Sequence, residues 1–136
     1  MDEIDKPFRL TLRAVVRDAQ GRILLLQRSK FSRNLPSTWE FPGGKMESGE
    51  TLSQGLEREI LEETGLKVKL TKVLGFAQRA REDDRIAYLL FDTQVQCGTL
   101  KISQEHDAYQ WVSPKDLPNV DLSFHLVEFA KSLMGQ

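Results

Sequence analysis

Cysteine, long apolar runs and net charge are nearly absent from this sequence, and each absence excludes a class of protein. With Cys97 as the only cysteine, no intramolecular disulfide can form, which suits a reducing compartment. No apolar run approaches the length of a transmembrane helix, and the acidic N-terminus lacks the apolar segment of a secretory signal. We therefore expect a soluble, cytoplasmic protein that does not bind a membrane. Because Cys97 lies in an apolar-rich run, we predict a buried and inert thiol.

The balance of charges gives no reason to expect a polyanionic partner. Lysine and arginine number 19 against 20 aspartates and glutamates, so the formal net charge is −1. Nucleic-acid binding usually needs a basic excess, so charge-driven recognition must be local here and we predict no nucleic-acid partner. The 136 residues contain no internal repeat, low-complexity tract or linker, and we predict a single domain over residues 1–136.

The chain is predicted to interleave strands with helices. Residues 8–18 and 22–28 are apolar and β-compatible, and the turn residues between them predict a β-hairpin. Residues 29–38 are polar, contain Pro36 and predict a loop. Further strands are predicted at residues 39–41, 66–78, 86–96 and 108–113. This order predicts an α/β fold in which a mixed sheet carries helices on its faces.

Two helices are predicted, and the first has clear signals at both ends. Thr51 and Gln54 form a T-x-x-Q capping box, and Gly65 lies where a left-handed cap belongs, which predicts a helix over residues 51–64. The second helix is predicted over residues 122–133. Its inward-facing side chains are predicted to be Leu126, Phe129, Ala130 and Leu133.

The first helix concentrates negative charge on one arc. At about 100° per residue, Glu59, Glu62 and Glu63 lie close together beside an apolar stripe. Like charges one turn apart repel by roughly 0.2–0.5 kcal/mol per pair, and acids in the last turns oppose the helix dipole. A solvated charged face is one interpretation. The other is a site for a hard divalent cation, because oxygen ligands at this spacing suit Mg²⁺ or Mn²⁺ with a phosphate-bearing ligand.

The same segment resembles the signature of the Nudix (MutT-like) hydrolases, G-x5-E-x7-R-E-U-x-E-E-x-G-U, in which U is a bulky aliphatic residue. Every fixed position is filled at the right spacing, which makes the match highly specific. The matching residues are Gly44, Glu50, Arg58, Glu59, Ile60, Glu62, Glu63, Gly65 and Leu66. The "WEFPGGK" stretch and the order of elements also agree with the family. The resemblance implies the Nudix fold, a mixed β-sheet sandwiched between helices (an α/β/α sandwich), and it allows a homodimer.

Carried over to these positions, the resemblance implies a metal site and its supporting residues. It implies that Glu59, Glu62 and Glu63 ligate Mg²⁺ or Mn²⁺ together with the Gly44 carbonyl. Arg58 would orient the neighbouring glutamates. Glu50 would support the site from the loop, or be an ordinary acid ahead of a helix. Glu105, six residues before Trp111, matches the position of a fourth ligand or general base, although a surface turn would explain it equally. The residues assigned to catalysis are Arg58, Glu59, Glu62 and Glu105.

The reaction that the resemblance implies is hydrolysis of a nucleoside diphosphate linked to a moiety X. A short chain with "WEFPGGK" is similar to members that convert a nucleoside triphosphate, normal or oxidised, to a monophosphate and pyrophosphate. Residues 24–44 nearly match the coenzyme-A hydrolase pattern, but Leu26 and Ser37 depart from it. The ADP-ribose and dinucleoside-polyphosphate patterns match less well. A non-catalytic module that binds a nucleotide and regulates a partner is the alternative from another class.

Substrate contacts are predicted in loops and at strand ends. The basic side chains best placed to meet phosphates are Arg28, Arg33, Lys45, Arg79, Arg81 and Arg85. Trp39, Phe76 or Phe91 could stack on a base, but for each of them packing in the core or on a sheet face is the favoured interpretation. His106 and His125 have no ligand-like partners in the sequence, and we interpret both as incidental, with His125 as a further candidate for the base pocket.

Overall fold

Seven strands and two α-helices form the framework of the computed structural model, which describes residues 2–135. The strands are β1 (Phe8–Val15), β2 (Ile23–Arg28), β3 (Trp39–Glu40), β4 (Gly43–Lys45), β5 (Leu66–Ala80), β6 (Arg85–Gly98) and β7 (His106–Val112). The helices are α1 (Leu52–Thr64) and α2 (Val127–Lys131). Short 3-10 turns lie at Glu3–Asp5, Pro114–Asn119 and Phe124–Leu126.

The strands divide between two sheets. One has the order β4-β1-β6-β5, in which β1 runs parallel to β6 and the other pairs are antiparallel. The second has the order β3-β2-β7 and is antiparallel throughout. The long β5–β6 ladder reaches from Leu66 paired with Gly98 to Ala80 paired with Arg85. Its far end carries Arg79 and Arg81 to the same side of the molecule as β4.

The predicted hairpin between the first two strands is wrong. The chain does turn where expected, since the Asp18 amide donates to the Arg22 carbonyl at 2.9 Å and Arg17 bridges Ile23. Beyond that turn the strands separate, because both edges of β1 are already occupied by β4 and β6. Strand β2 instead pairs with β3 and β7.

Neighbouring residues of β1 and β2 face two different hydrophobic cores. Leu24 and Leu26 pack with Leu56 and Ile60 of α1. Ile23 and Leu25 lie in the second core. That second core is completed by the C-terminal side chains Leu126, Phe129, Ala130 and Leu133, all buried as predicted. Helices therefore lie on opposite sides of the strands, which confirms the mixed α/β/α fold.

The last helix is much shorter than the predicted range of residues 122–133. Only Val127–Lys131 is α-helical, after a 3-10 turn at Phe124–Leu126. The cause is backbone pairing with β3, in which Trp39 donates to the Asp121 carbonyl at 2.9 Å and accepts from the Ser123 amide at 2.9 Å. This pairing holds the chain around Leu122 extended.

Helix α1 begins and ends as its sequence predicts. The Thr51 hydroxyl accepts from the Gln54 amide at 3.2 Å, and the Gln54 side chain accepts from the Thr51 amide at 3.0 Å. Gly65 adopts a left-handed conformation with φ 74° and donates to the Leu61 carbonyl at 2.9 Å. These caps fix where the helix that carries the acidic residues begins and ends.

Cys97 is exposed, so the prediction of a buried thiol is wrong. The last five residues of β6 run beyond the packed part of the sheet, and none of them is buried. No helix within residues 2–135 combines the length and apolar character needed to cross a bilayer.

Candidate active site

A cleft of about 580 Å³ opens between β4, the flank of α1 and the loops that follow β2 and precede β7. It brings together acids and bases that lie far apart in the sequence. The predicted site residues on its walls are Arg28, Gly44, Lys45, Glu59, Glu63, Arg79, Arg81 and Glu105. The helix contributes the acids Glu59 and Glu63, and other elements contribute the basic side chains of Arg28, Lys45, Arg79 and Arg81.

Glu59 lies directly against the backbone of β4. A β-carbon added at Gly44 would lie 2.6 Å from the carboxyl carbon of Glu59, so only glycine leaves room for this side chain. Burial raises the pKa of Glu59, and the charges of Glu62 and Glu105 add to that effect, although Arg58 opposes it. The packing aims a carboxylate and the Gly44 backbone at one place in the cleft.

Glu63 lies one turn further along α1 and is buried. Its carboxylate accepts a hydrogen bond from the Gly43 amide at 3.1 Å. Burial raises the pKa of Glu63 to about 7, although Arg13, His106 and that hydrogen bond act to lower it. The buried Glu63 carboxylate is therefore costly to ionise in the absence of a cation.

Glu62 differs from the other two acids of the helix. Its side chain is 58% exposed, against 18% for Glu59, and it does not line the cleft. Arg58 donates to both of its oxygens at 3.3 Å. A role for Glu62 in metal binding therefore places the metal at the outer rim of the cleft.

Arg58 is the link between the acids. Arg58 donates two hydrogen bonds to the Glu50 carboxylate, from Nε at 2.7 Å and from Nη2 at 3.0 Å. Nη1 donates to Glu59 at 3.0 Å, and Nη2 also donates to the Lys45 carbonyl at 3.1 Å. Glu50 is thereby held beside Arg58 rather than on the cleft wall. This geometry suits the orienting role predicted for Arg58.

The donor set fits a hard divalent cation. Glu59, Glu63 and the Gly44 carbonyl offer only oxygen, which suits Mg²⁺ or Mn²⁺, and the imidazole that lines the same cleft, His106, has its Nε2 2.9 Å from Glu40. Across residues 2–135 no three acidic, imidazole or thiol groups are already gathered into a metal cage. Three carboxylates of the helix instead accept hydrogen bonds from the protein: Arg58 donates to Glu59 and Glu62, and the Gly43 amide donates to Glu63. A cation would compete with these bonds and relieve the raised pKa values.

One sequence interpretation of a cleft residue needs revision, and two charged cleft residues were missed. His106 is not incidental, because it is buried and its Nε2 lies 2.9 Å from Oε2 of Glu40. Glu40 and Arg13 escaped the sequence reasoning altogether, and the only available signal was a charged side chain inside each apolar strand. Glu105 is exposed and lines the cleft next to His106.

Arg33 and Trp39 lie apart from the other predicted substrate contacts. Arg33 is exposed but is not on the cleft wall, and Trp39 packs against the core that includes α2. His125 stacks on the cleft residue Tyr88 with ring centroids 4.4 Å apart, without lining the cleft itself. Burial, assisted by Arg13, lowers the pKa of His125 to about 4, so it is neutral at pH 7.

The comparisons with known proteins agree with this arrangement. A family model described as the NUDIX domain matches residues 7–133. The chain belongs to the Nudix family. The nucleoside triphosphatase NudI of Escherichia coli O139:H28 is 32% identical to this Nudix protein, over 76% of this chain and 81% of the relative.

Solved structures resemble the Nudix chain over almost its whole length. The MutT protein of Methanosarcina mazei Go1 has a TM-score of 0.87 at 30% identity, over 95% of this chain and 94% of that one. The E. coli ORF135 protein has a TM-score of 0.83 at 27% identity, over 99% and 94%. This Nudix protein is therefore a hydrolase acting on phosphoric anhydrides.

We predict that Arg58→Ala lowers kcat of this Nudix hydrolase by roughly 10- to 100-fold with little change in nucleotide KM. The arginine reaches the acids and the Lys45 backbone but is not on the cleft wall, so its loss disturbs ligand geometry rather than nucleotide contacts. Steady-state kinetics with a titration of Mn²⁺ measure the effect. Equal rate and metal affinity in both proteins would count against the orienting role.

Proposed function

We propose that this protein hydrolyses a nucleoside triphosphate, normal or oxidised, to the monophosphate and pyrophosphate with the aid of Mg²⁺ or Mn²⁺. The observation that carries the proposal is a cleft that combines the helix acids Glu59 and Glu63 with basic side chains from other elements, Arg28, Arg79 and Arg81. A triphosphate with its metal presents both signs of charge, so the metal can contact the acidic side chains while the phosphates contact the basic ones. The NudI relative, named as a nucleoside triphosphatase, supports the choice of substrate.

On this proposal Glu59, Glu63 and the Gly44 carbonyl hold the metal, Glu62 contributes from the rim, and Glu50 supports them through Arg58. A bound divalent cation lowers the pKa of water and neutralises phosphate charge. The guanidinium groups of Arg28, Arg79 and Arg81 bind the phosphate oxygens, and Lys45 adds a further positive charge.

The acid–base step is assigned to Glu105. A water oxygen bonds to phosphorus while the bridging P–O bond breaks, and pyrophosphate leaves with that electron pair. Glu105 accepts the proton of the water at its carboxylate. Its exposure and its position on the cleft wall leave this carboxylate accessible to water, whereas Glu59 and Glu62 are engaged by Arg58.

A panel of substrates tests the proposal. Nucleoside triphosphates, ADP-ribose, NADH, dinucleoside polyphosphates and coenzyme A are incubated with Mg²⁺ or Mn²⁺, and the products are separated by chromatography. We expect a nucleoside triphosphate to give monophosphate and pyrophosphate in equal amounts. Preferred turnover of another compound would replace the substrate, and no turnover of any would favour the regulatory nucleotide-binding module.

We predict that Arg79→Ala raises nucleotide KM about 10-fold and leaves kcat nearly unchanged, because a lost charge-assisted hydrogen bond costs roughly 1.5–3 kcal/mol. Arg79 lies on the cleft wall, held by Asn34 at 3.3 Å and with its guanidinium 5.9 Å from the Phe124 ring. Arg33→Ala is the matched control, since that exposed arginine lies off the cleft wall. Similar KM values for the two variants would contradict the assignment.

A further inference from the structure

Glu40 is a buried carboxylate among the residues that line the cleft, and it contacts three charged or titratable side chains. It is 3% exposed and sits on β3, the edge strand that pairs with β2. Oε1 accepts from Arg28 Nη1 at 3.1 Å and lies 3.5 Å from Arg13 Nη2. Oε2 lies 2.9 Å from His106 Nε2. Although burial raises its pKa, the Arg13 charge, the His106 hydrogen bond and Arg28 together lower it to about 2.

The two oxygens of Glu40 therefore connect different parts of the cleft. Oε1 holds Arg28, at the end of β2, where the loop of residues 29–38 begins. Oε2 holds His106, at the start of β7 and directly after Glu105. The two loops also touch, since the Ser29 amide donates to the Glu105 carbonyl at 3.3 Å.

Stability alone is a weak explanation for this arrangement. Burying a carboxylate among two arginines and a histidine costs desolvation that a well-packed apolar cluster would avoid. What the arrangement supplies is geometry, because a single carboxylate fixes the side chains of both Arg28 on β2 and His106, its neighbour on β7.

We propose that Glu40 and His106 are positioning residues, which fix the placement of Glu105 and Arg28 at the neighbouring ends of β7 and β2. The inference rests on the proposed function, in which Glu105 accepts a proton and Arg28 binds phosphate. His106 anchors the start of β7 directly after Glu105, while Arg28 is held by the other oxygen of the same carboxylate. Loss of the His106 bond should thus displace the proton acceptor and leave phosphate binding intact.

The test separates kcat from KM in matched variants. His106→Leu removes the donor to Glu40 at similar volume, and His106→Gln restores a donor because its amide nitrogen can take the place of Nε2. We expect kcat of His106→Leu to fall roughly 10- to 100-fold at unchanged KM, and His106→Gln to recover to within about threefold of wild type. If the leucine variant does not fold, His106→Asn replaces it, because its shorter amide cannot reach Oε2.

A control variant and the choice of substrate keep the outcome clear. Thr93→Val removes a buried hydrogen bond from the Thr93 hydroxyl to the Val15 carbonyl, away from the cleft wall, and should lower the unfolding temperature without changing kcat. Wild-type kcat in folded His106→Leu, or equal losses in the leucine and glutamine variants, would overturn the proposal. The kinetics use whichever compound the wild type hydrolyses. A wrong substrate assignment would therefore show in the substrate panel and would not affect the comparison of the His106 variants.

Discussion

Glu59→Gln lowers kcat by about 100- to 1,000-fold at saturating metal and nucleotide, the largest loss we expect from a single change. Glutamine keeps the size of the side chain and its fit against Gly44, but it removes the negative charge that Glu59 offers a divalent cation in the cleft. The fold should survive, because burial already raises the pKa of Glu59 and ionisation there opposes folding. Steady-state kinetics and thermal unfolding measure the two effects.

Glu57→Gln is the matched control for this experiment. Glu57 lies on the same helix, but its carboxylate accepts from the Leu70 amide at 3.1 Å and takes no part in the cleft wall. The glutamine oxygen can accept the same bond, so activity should stay within about twofold of wild type. Comparable losses in the Glu57 and Glu59 variants would mean that the helix, rather than the Glu59 carboxylate, is being disturbed.

Glu63→Gln is expected to abolish most activity and to stabilise the metal-free protein at high pH. Burial raises the folded-state pKa of Glu63 to about 7 from an ordinary value of 4.5. As pH rises from 4.5 to 7 the unfolded chain releases this proton first, so Glu63 progressively destabilises the folded state. The difference between the two pKa values lowers the free energy of unfolding by at most about 3 kcal/mol above pH 7. Glutamine carries no such loss.

Chemical denaturation with a chelator present checks this prediction at two pH values. At pH 8 the Glu63→Gln variant should unfold at a higher denaturant concentration than wild type, and at pH 5 most of that advantage should vanish. Replacing the chelator with Mg²⁺ should stabilise the wild type more than the variant, because only the wild type offers the cation a carboxylate here. A variant less stable than wild type at pH 8 without metal would show that the Gly43–Glu63 contact matters more than the buried charge.

Local signals determined the parts of the structure that the sequence predicted well. The ends of α1 depend on Thr51, Gln54 and Gly65, all within or next to the helix, and the spacing of its acids follows from helical geometry. The roles of those acids remain predictions, although the structure brings Glu59, Glu63 and Glu105 to one cleft.

The parts that sequence reasoning missed depend on distant residues. The hairpin between β1 and β2 failed because β1 pairs with β6, more than seventy residues away. The final helix is short because residues 121–123 pair with Trp39. Glu40 and His106 are 66 positions apart, and nothing in either neighbourhood indicates that they meet. Pairings of this kind are set by the packing of the whole chain.

The exposed position of Cys97 has a practical consequence. It is the only thiol in the sequence, so a maleimide dye or spin label would attach at one defined place without any engineered substitution. Cys97 pairs with Lys67 across the β5–β6 ladder, two residues beyond the Gly65 cap of α1. A probe there would sit near the C-terminal end of α1 and away from the cleft wall, in a position to report changes in that helix as cation and nucleotide are added.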